Sequence, residues 1–414
     1  MDKPTQQDIY FIDFPQRVKQ IQLEMSNRGL DVYLGSRLRT LSWITGAFCP
    51  WRSFIVIPAE GLPTVYTFVI DASRVAGDSW LDEDHVLGYA PMGGQDQISV
   101  ISDLVKKYLK GGKGVVGVES GMGSYTPEGH LTHFEYEQFA AALPDSRLVN
   151  AHDILDMLAM IKDPGTINRF REASRIVDLG HQAVYEAIKD GGYQGMTETE
   201  ISGIATYAMR KAGSEFEWTF TGGNEIASGY RTGLAGGACT PATRRPLRPG
   251  EPLMVDLHAM FMLGLGDHSH NYLISPASPR QKWHARNFVE LVKKCLLAYR
   301  AGVSPTSLAD EMLAYSEEQG FAEYMVPGFE HGIGLMGDEW RIGLNDGPFP
   351  YWTNPDHVYQ PGELIICAIQ YACPADSRGA SPEEGIGFRY ENPILIGEQG
   401  CEPLSRYPLA VEEI

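Results

Sequence analysis

Four side chains in the second half of this 414-residue chain could together hold a divalent cation. Asp256 follows the apolar run Leu253-Met254-Val255, and Asp267 comes eleven residues later in Gly266-Asp267-His268-Ser269-His270. His331 lies in Glu330-His331-Gly332-Ile333-Gly334-Leu335, and Glu391 stands sixty residues further on in Arg389-Tyr390-Glu391-Asn392. Three carboxylates and an imidazole are a ligand set for iron, manganese or zinc, and such a set supports metal-assisted hydrolysis. Each residue also has an ordinary use. Asp267 could sit in a solvated turn with His268 and His270 on the surface, His331 could be structural, and Glu391 could be the ion-pair partner of Arg389. Asp256 weighs toward a site, because a lone carboxylate buried on an apolar strand is destabilising unless a cation or donors compensate it.

The elements that must position these residues are legible in outline. Two strands joined by a hairpin, with Gly264 to Gly266 near the turn, would bring Asp256 and Asp267 into one pocket. Asp163-Pro164 opens a long helix with an apolar face of Ile167, Phe170 and Val177, and a second long helix is expected over 283–300. Strand-like stretches follow at 217–220, 253–261, 363–371 and 388–395. Upstream, Asp13-Phe14-Pro15 starts a helix with Val18, Ile21 and Met25 on one face. Short apolar runs at 31–34, 54–58, 64–68 and 114–118 then predict strands of an α/β domain. The expected division is an α/β N-terminal domain over 1–155 and an α+β domain over 156–414, built on a curved antiparallel sheet with flanking helices.

Composition narrows the function classes. The formal charge of -19 argues against nucleic acid and anionic membrane as partners. Neither a signal peptide nor a run of about 18 apolar residues is visible, which predicts a cytoplasmic protein acting on a small molecule. The six cysteines, Cys49, Cys239, Cys295, Cys367, Cys373 and Cys401, form no C-x-x-C pair and read as free, mostly buried thiols.

The order Asp256, Asp267, His331, Glu391, together with His331-Gly332-Ile333-Gly334-Leu335 and Gly387-Phe388-Arg389-Tyr390-Glu391, resembles the pita-bread superfamily. That group includes creatinase, aminopeptidase P, prolidase, ectoine hydrolase and one type of dimethylsulfoniopropionate lyase. The resemblance spans nearly the whole chain, with Lys162-Asp163-Pro164 at the domain junction, and implies a homodimer. It also exposes departures. The family's peptidases carry a further Glu about six residues after a Pro-Gly, where this chain, after Pro361-Gly362, has Ala368, or Ile369 with a one-residue slip. Gly229 and Asp338 stand where two histidines are expected, and His258 stands two residues after Asp256 where metal-binding members usually have Gly.

These departures disfavour an ordinary Xaa-Pro peptidase. The first expectation is a hydrolase of a small C–N compound: an amide, amidine or guanidino substrate. Asp256, Asp267, His331 and Glu391 would hold one divalent ion, or His331 with Glu391 or Asp338 would act as acid and base in a metal-free site. Arg389, Tyr230 and Trp340 are the expected substrate-binding residues, Arg389 as a bidentate carboxylate anchor and the aromatics around a cationic group. A β-elimination lyase on a sulfonium-type zwitterion, with Asp338 as base, and a non-catalytic binding protein are the alternatives.

Overall fold

The computed structural model describes residues 5–90, 96–120, 129–216, 223–234, 240–326, 328–339, 356–373 and 385–414, with the backbone alone over 337–339. They form two compact units, Met1–Ala159 and Met160–Ile414.

The first unit contains α1 (Phe14–Arg28), β1 (Val32–Gly35), α2 (Leu38–Thr45), β2 (Phe54–Pro58), β3 (Thr64–Phe68), α3 (Val69–Asp78), β4 (Val86–Tyr89), α4 (Gln97–Tyr108), β5 (Gly114–Val118), α5 (His133–Ala142), β6 (Ser146–Asn150) and α6 (Asp153–Met160). Asp13 caps α1 by accepting the Gln16 N–H at 2.9 Å. The mixed sheet runs β4-β3-β2-β1-β5-β6. Side-chain alternation gives it two buried faces. Tyr33, Ile55 and Ile57 pack on one side with residues of α1, α2, α3 and α6, while Val32, Leu34, Phe54 and Val56 pack on the other with α4 and α5.

The second unit contains α7 (Pro164–Ile188), α8 (Glu198–Lys211), β7 (Glu225–Ser228), β8 (Pro252–Phe261), β9 (Gly264–Leu273), α9 (Pro279–Ala298), α10 (Pro305–Glu318), β10 (Glu330–Gly334), β11 (Gly337–Glu339), β12 (Leu364–Cys373), β13 (Ile386–Ile396), β14 (Cys401–Pro403) and β15 (Val411–Glu413). Asp163 caps α7 as expected, accepting the Thr166 N–H at 2.8 Å. The helix expected at 283–300 begins earlier, at Pro279, because Ser278 and Gln281 form a capping box. The stretch expected at 217–220 lies outside the described residues.

Two sheets make up this unit, β11-β10-β12-β13-β14 and β15-β9-β8-β7. The first is antiparallel throughout, and the second is antiparallel except where β15 runs parallel to β9. Ile365, Cys367, Ile369, Tyr371, Phe388 and Tyr390 pack against Phe288, Leu291, Val292, Leu308 and Met312 of α9 and α10. By the two-residue period of a strand, Ala368, Arg389 and Glu391 face the opposite way. On the second sheet, α7 lies so close that a Cβ on Gly266 would stand 2.5 Å from the Ala173 carbonyl oxygen. The β8–β9 turn itself is Met262-Leu263, at φ 49° and 68°, just before Gly264, so Gly264 to Gly266 lie beside the turn at the start of β9. The helix-free faces meet at Asn271, whose side-chain amide donates to the Arg389 carbonyl at 2.7 Å and accepts the Arg389 N–H at 3.1 Å.

Candidate metal centre

Strand register assembles the site. In the β8–β9 ladder His258 pairs with Asp267 and Asp256 with Ser269, so all four side chains share one face. Asp256 and Asp267 are buried, which removes the solvated-turn alternative for Asp267. His268 and His270 are buried too, on the other face, where the His181 ring of α7 lies 2.9 Å from the His268 carbonyl. Burial lowers the His268 imidazole to about 3, as expected of a neutral packing residue. On the other sheet, Glu391 of β13 pairs with Ala368 of β12. His331, on β10, comes within 3.6 Å of Glu391 Oε1 and 3.9 Å of Asp267 Oδ2 through its Nε2.

The four expected ligands therefore converge, together with a residue the sequence expectation left out. Asp256, His258 and Asp267 offer ligand atoms mutually within 4.8 Å, and so do Asp267, His331 and Glu391. His258 Nε2 lies 3.6 Å from Asp256 Oδ2 and 3.5 Å from Asp267 Oδ1. The signal for it was present: on a strand, the position two beyond Asp256 must share its face. Glu225 was missed as well. It pairs with Asp256 across β7 and β8 and is tied to the Arg389 guanidinium.

The electrostatics follow from burial and one arginine. Burial pushes the Asp256 carboxyl up to about 6 against the pull of Arg389, whose Nη1 is 3.3 Å away. Glu391 goes the other way. Burial alone would raise it, but Arg389, with Nη2 at 2.7 Å, and the adjacent His331 hold it below the usual carboxylate range. The cluster fits a cation in two further respects. Asp256 Oδ1 accepts the Ser269 hydroxyl at 2.7 Å and its Oδ2 faces the Arg389 guanidinium at 3.3 Å, whereas Glu391 Oε2 is buried and accepts no hydrogen bond. His331 has Nδ1 3.0 Å from the Gly332 carbonyl, a contact that orients the ring with Nε2 toward the carboxylates.

Residues 168–398, more than half of the chain, match the Metallopeptidase family M24, and residues 17–161 match the Creatinase/Prolidase N-terminal domain. The chain belongs to metallopeptidase family M24. Among M24 relatives, it is 26% identical to an ectoine hydrolase of Halomonas elongata over 408 residues, 96% of each chain. It is 24% identical to a Xaa-Pro dipeptidase of Pyrococcus furiosus over 280 residues, 67% of this chain and 72% of that one. The X-Pro aminopeptidase of Thermotoga maritima superposes with a TM-score of 0.76 at 21% identity, covering 96% of this chain and 99% of that one. The M24 fold is thus an α/β domain followed by a pita-bread domain, and the chain is a hydrolase of that superfamily.

The remaining expected site residues fall elsewhere. Arg389 is buried, with its terminal nitrogens engaged by Glu225, Asp256 and Glu391, so this geometry makes it a clamp on protein carboxylates rather than an anchor open to substrate. Tyr230 follows β7, is partly exposed, and has the Arg245 guanidinium 5.7 Å from its ring centroid. Asp338 pairs with Ile333 through the β11 backbone, while its side chain, like all of Trp340, lies outside the described residues.

Proposed function

We propose that this M24 chain hydrolyses a C–N bond in a small non-peptide substrate, an amide, amidine or guanidino compound. The observation that carries this reading is the β12–β13 register, in which a methyl group, Ala368, stands opposite Glu391. A methyl group neither binds metal nor takes a proton, so the carboxylate that the resemblance assigns to peptidases is missing from that side. The other carboxylates are kept, and a cluster of buried acids without a use would be destabilising.

Asp256, Asp267, His331 and Glu391 would hold the metal. A divalent ion bound there supplies Lewis-acid activation of water and of the scissile centre. Glu391, kept ionised by Arg389, and His331, oriented by the Gly332 carbonyl, fix the geometry of that side of the pocket. The proposal includes a cytoplasmic homodimer, and sedimentation of the purified chain reads its mass directly.

Elemental mass spectrometry of protein purified without chelator or nickel resin comes first. A panel of Xaa-Pro dipeptides is then assayed against N-acyl, amidine and guanidino compounds for release of amine or ammonia. The expected result is bound iron, manganese or zinc, turnover within the second group, and none of the dipeptides. Efficient cleavage of Xaa-Pro dipeptides would overturn the assignment.

A further inference from the structure

We propose that the outer face of α8, with the adjoining edge of α7, is a two-fold interface on which a second copy of this chain docks, its α8 antiparallel to this one. This rests on the homodimer included in the proposed function and assigns the surface that forms it.

Three observations carry it. First, α7 and α8 leave an open, apolar-walled groove of about 1080 Å³ between them. Tyr207, on α8, is 71% exposed there and Leu179, on α7, 42%. Large apolar side chains gathered along one groove mark an interaction surface, whereas the same residues scattered singly would not. Second, the groove residues of α8 have a self-complementary order. Glu200, Ile204, Tyr207 and Lys211 are spaced 4-3-4, which draws one seam along three turns, and Gly203 and Ala208 flank it. A two-fold axis midway between Ala205 and Thr206 sets Ile204 against the partner's Tyr207, Gly203 against the partner's Ala208 and Glu200 against the partner's Lys211. Apolar then meets apolar, small meets small and acid meets base, each contact occurring twice, as an isologous interface requires. Third, Gly203 lies inside a helix, where glycine is a poor choice, and a Cβ there would meet no described atom within 4 Å. Packing within the chain therefore gives no reason for glycine. Close approach of a second helix from outside does, because the interaxial distance is set by the side chains at the contact.

The symmetry also chooses the occupant and its direction. An unrelated helix or an apolar ligand would not need a seam that reads alike from both ends. A parallel, in-register pair would place Glu200 beside the partner's Glu200 and Lys211 beside the partner's Lys211, so like charges select the antiparallel arrangement. Glu200 is held in place for its part, since its Oε2 accepts the Thr197 N–H at 2.7 Å and the Thr197 hydroxyl at 2.8 Å.

The test is the mass of the full chain across a dilution series, by sedimentation velocity and light scattering, for wild type, Tyr207→Asp and Gly203→Leu. Far-UV circular dichroism and urea unfolding report the fold of each protomer. Wild type should sediment as a dimer. Both variants should associate at least about 30-fold more weakly. Should wild type be a tetramer, the same variants should leave dimers. Gly203→Leu should lose association while keeping or raising helix content and urea midpoint, because leucine is the better helix former and its side chain has open space in the single chain. A role confined to the protomer would instead move stability and leave the mass unchanged. Register is read separately: Ile204→Cys and Tyr207→Cys chains, mixed and treated with a short bismaleimide, should cross-link faster than either alone, with wild type as the blank for native thiols. Cross-linking no faster in the mixture would overturn the antiparallel register. Wild-type mass at every dilution in folded Tyr207→Asp and Gly203→Leu would overturn the α8 assignment while leaving the homodimer to another surface. Wild type at the single-chain mass throughout would overturn the homodimer as well, so the two failures are told apart.

Discussion

Arg389 is the cation that the protein itself places in the carboxylate cluster. Its guanidinium reaches Glu225, Asp256 and Glu391, and such planar, multi-donor contact is what arginine offers over lysine. Removing one member of a buried ionic network leaves uncompensated charge, at a cost on the order of 3–5 kcal/mol. Arg389→Ala should therefore lower unfolding stability by about that amount in urea titration. Arg389→Lys should lose less, because it keeps the charge but not the fork. If Arg389→Ala unfolds at the wild-type urea concentration, the clamp is not what stabilises the cluster. The sequence singled out Asp256, Asp267, His331 and Glu391 as candidates, with spacing leaving an ordinary use open for each and the family resemblance joining them into one set. It did not show which neighbours answer them. Glu225 lies far from Arg389 in sequence, and only the pairing of β7 with β8 and the meeting of the two sheets bring them together. His258 was visible as a departure from glycine, yet its meaning depends on Asp267 standing opposite it.

At the scale of elements, the site is a consequence of two tight approaches between backbones. One is α7 against β9 at Gly266. The other is the turn after β7 against β13, where Gly387 N–H donates to Thr232 Oγ1 at 3.1 Å and an added Cβ would sit 1.7 Å from the Thr232 carbonyl oxygen. That oxygen belongs to backbone and cannot rotate away. Gly387→Ala should thus cost at least the upper part of the roughly 1–3 kcal/mol typical of overpacking, and shift β13 with Arg389 and Glu391 on it. Metal affinity should fall with stability in this variant, whereas Arg389→Lys should change affinity more than stability; calorimetry alongside thermal melts checks both. A Gly387→Ala protein with wild-type melting temperature would show that the strand is not wedged. Patterning anticipated β2, β3, β5, β8, β12 and β13 to within about two residues, because apolar runs between glycines and prolines leave the chain few options. The Met262-Leu263 turn escaped it, since two non-glycine residues at positive φ are held by the ladder around them rather than by their own preference.

Across the whole molecule, the -19 charge and one buried network act oppositely as pH falls. Protonating surface carboxylates relieves self-repulsion, which favours the folded state. Glu119 in the first unit works against this. It is fully buried, and burial would raise its pKa. Arg37 beside it, the Thr40 hydroxyl and the Ser36 and Arg37 N–H groups overcome that and hold it at about 2. A carboxyl depressed on folding contributes stability above its unfolded value, 4.5, and loses that contribution as pH falls toward its folded value. At 1.36 kcal/mol per pH unit, the amount at stake is about 3 kcal/mol. Wild type minus Glu119→Gln isolates this contribution, because every other carboxylate is common to both chains. Urea unfolding of the two at pH 7, 4 and 2.5, followed in the transition of the first unit, should give the variant as less stable at pH 7 by on the order of 3 kcal/mol, with most of the gap closed by pH 2.5. A gap that stays constant over that range would mean the Gln is disruptive by shape alone and that Glu119 is not held ionised by Arg37. A gap that closes above pH 5 would place the titration on another group. The same comparison leaves the second unit unaltered, so the metal stoichiometry of Glu119→Gln at pH 7 should equal that of wild type.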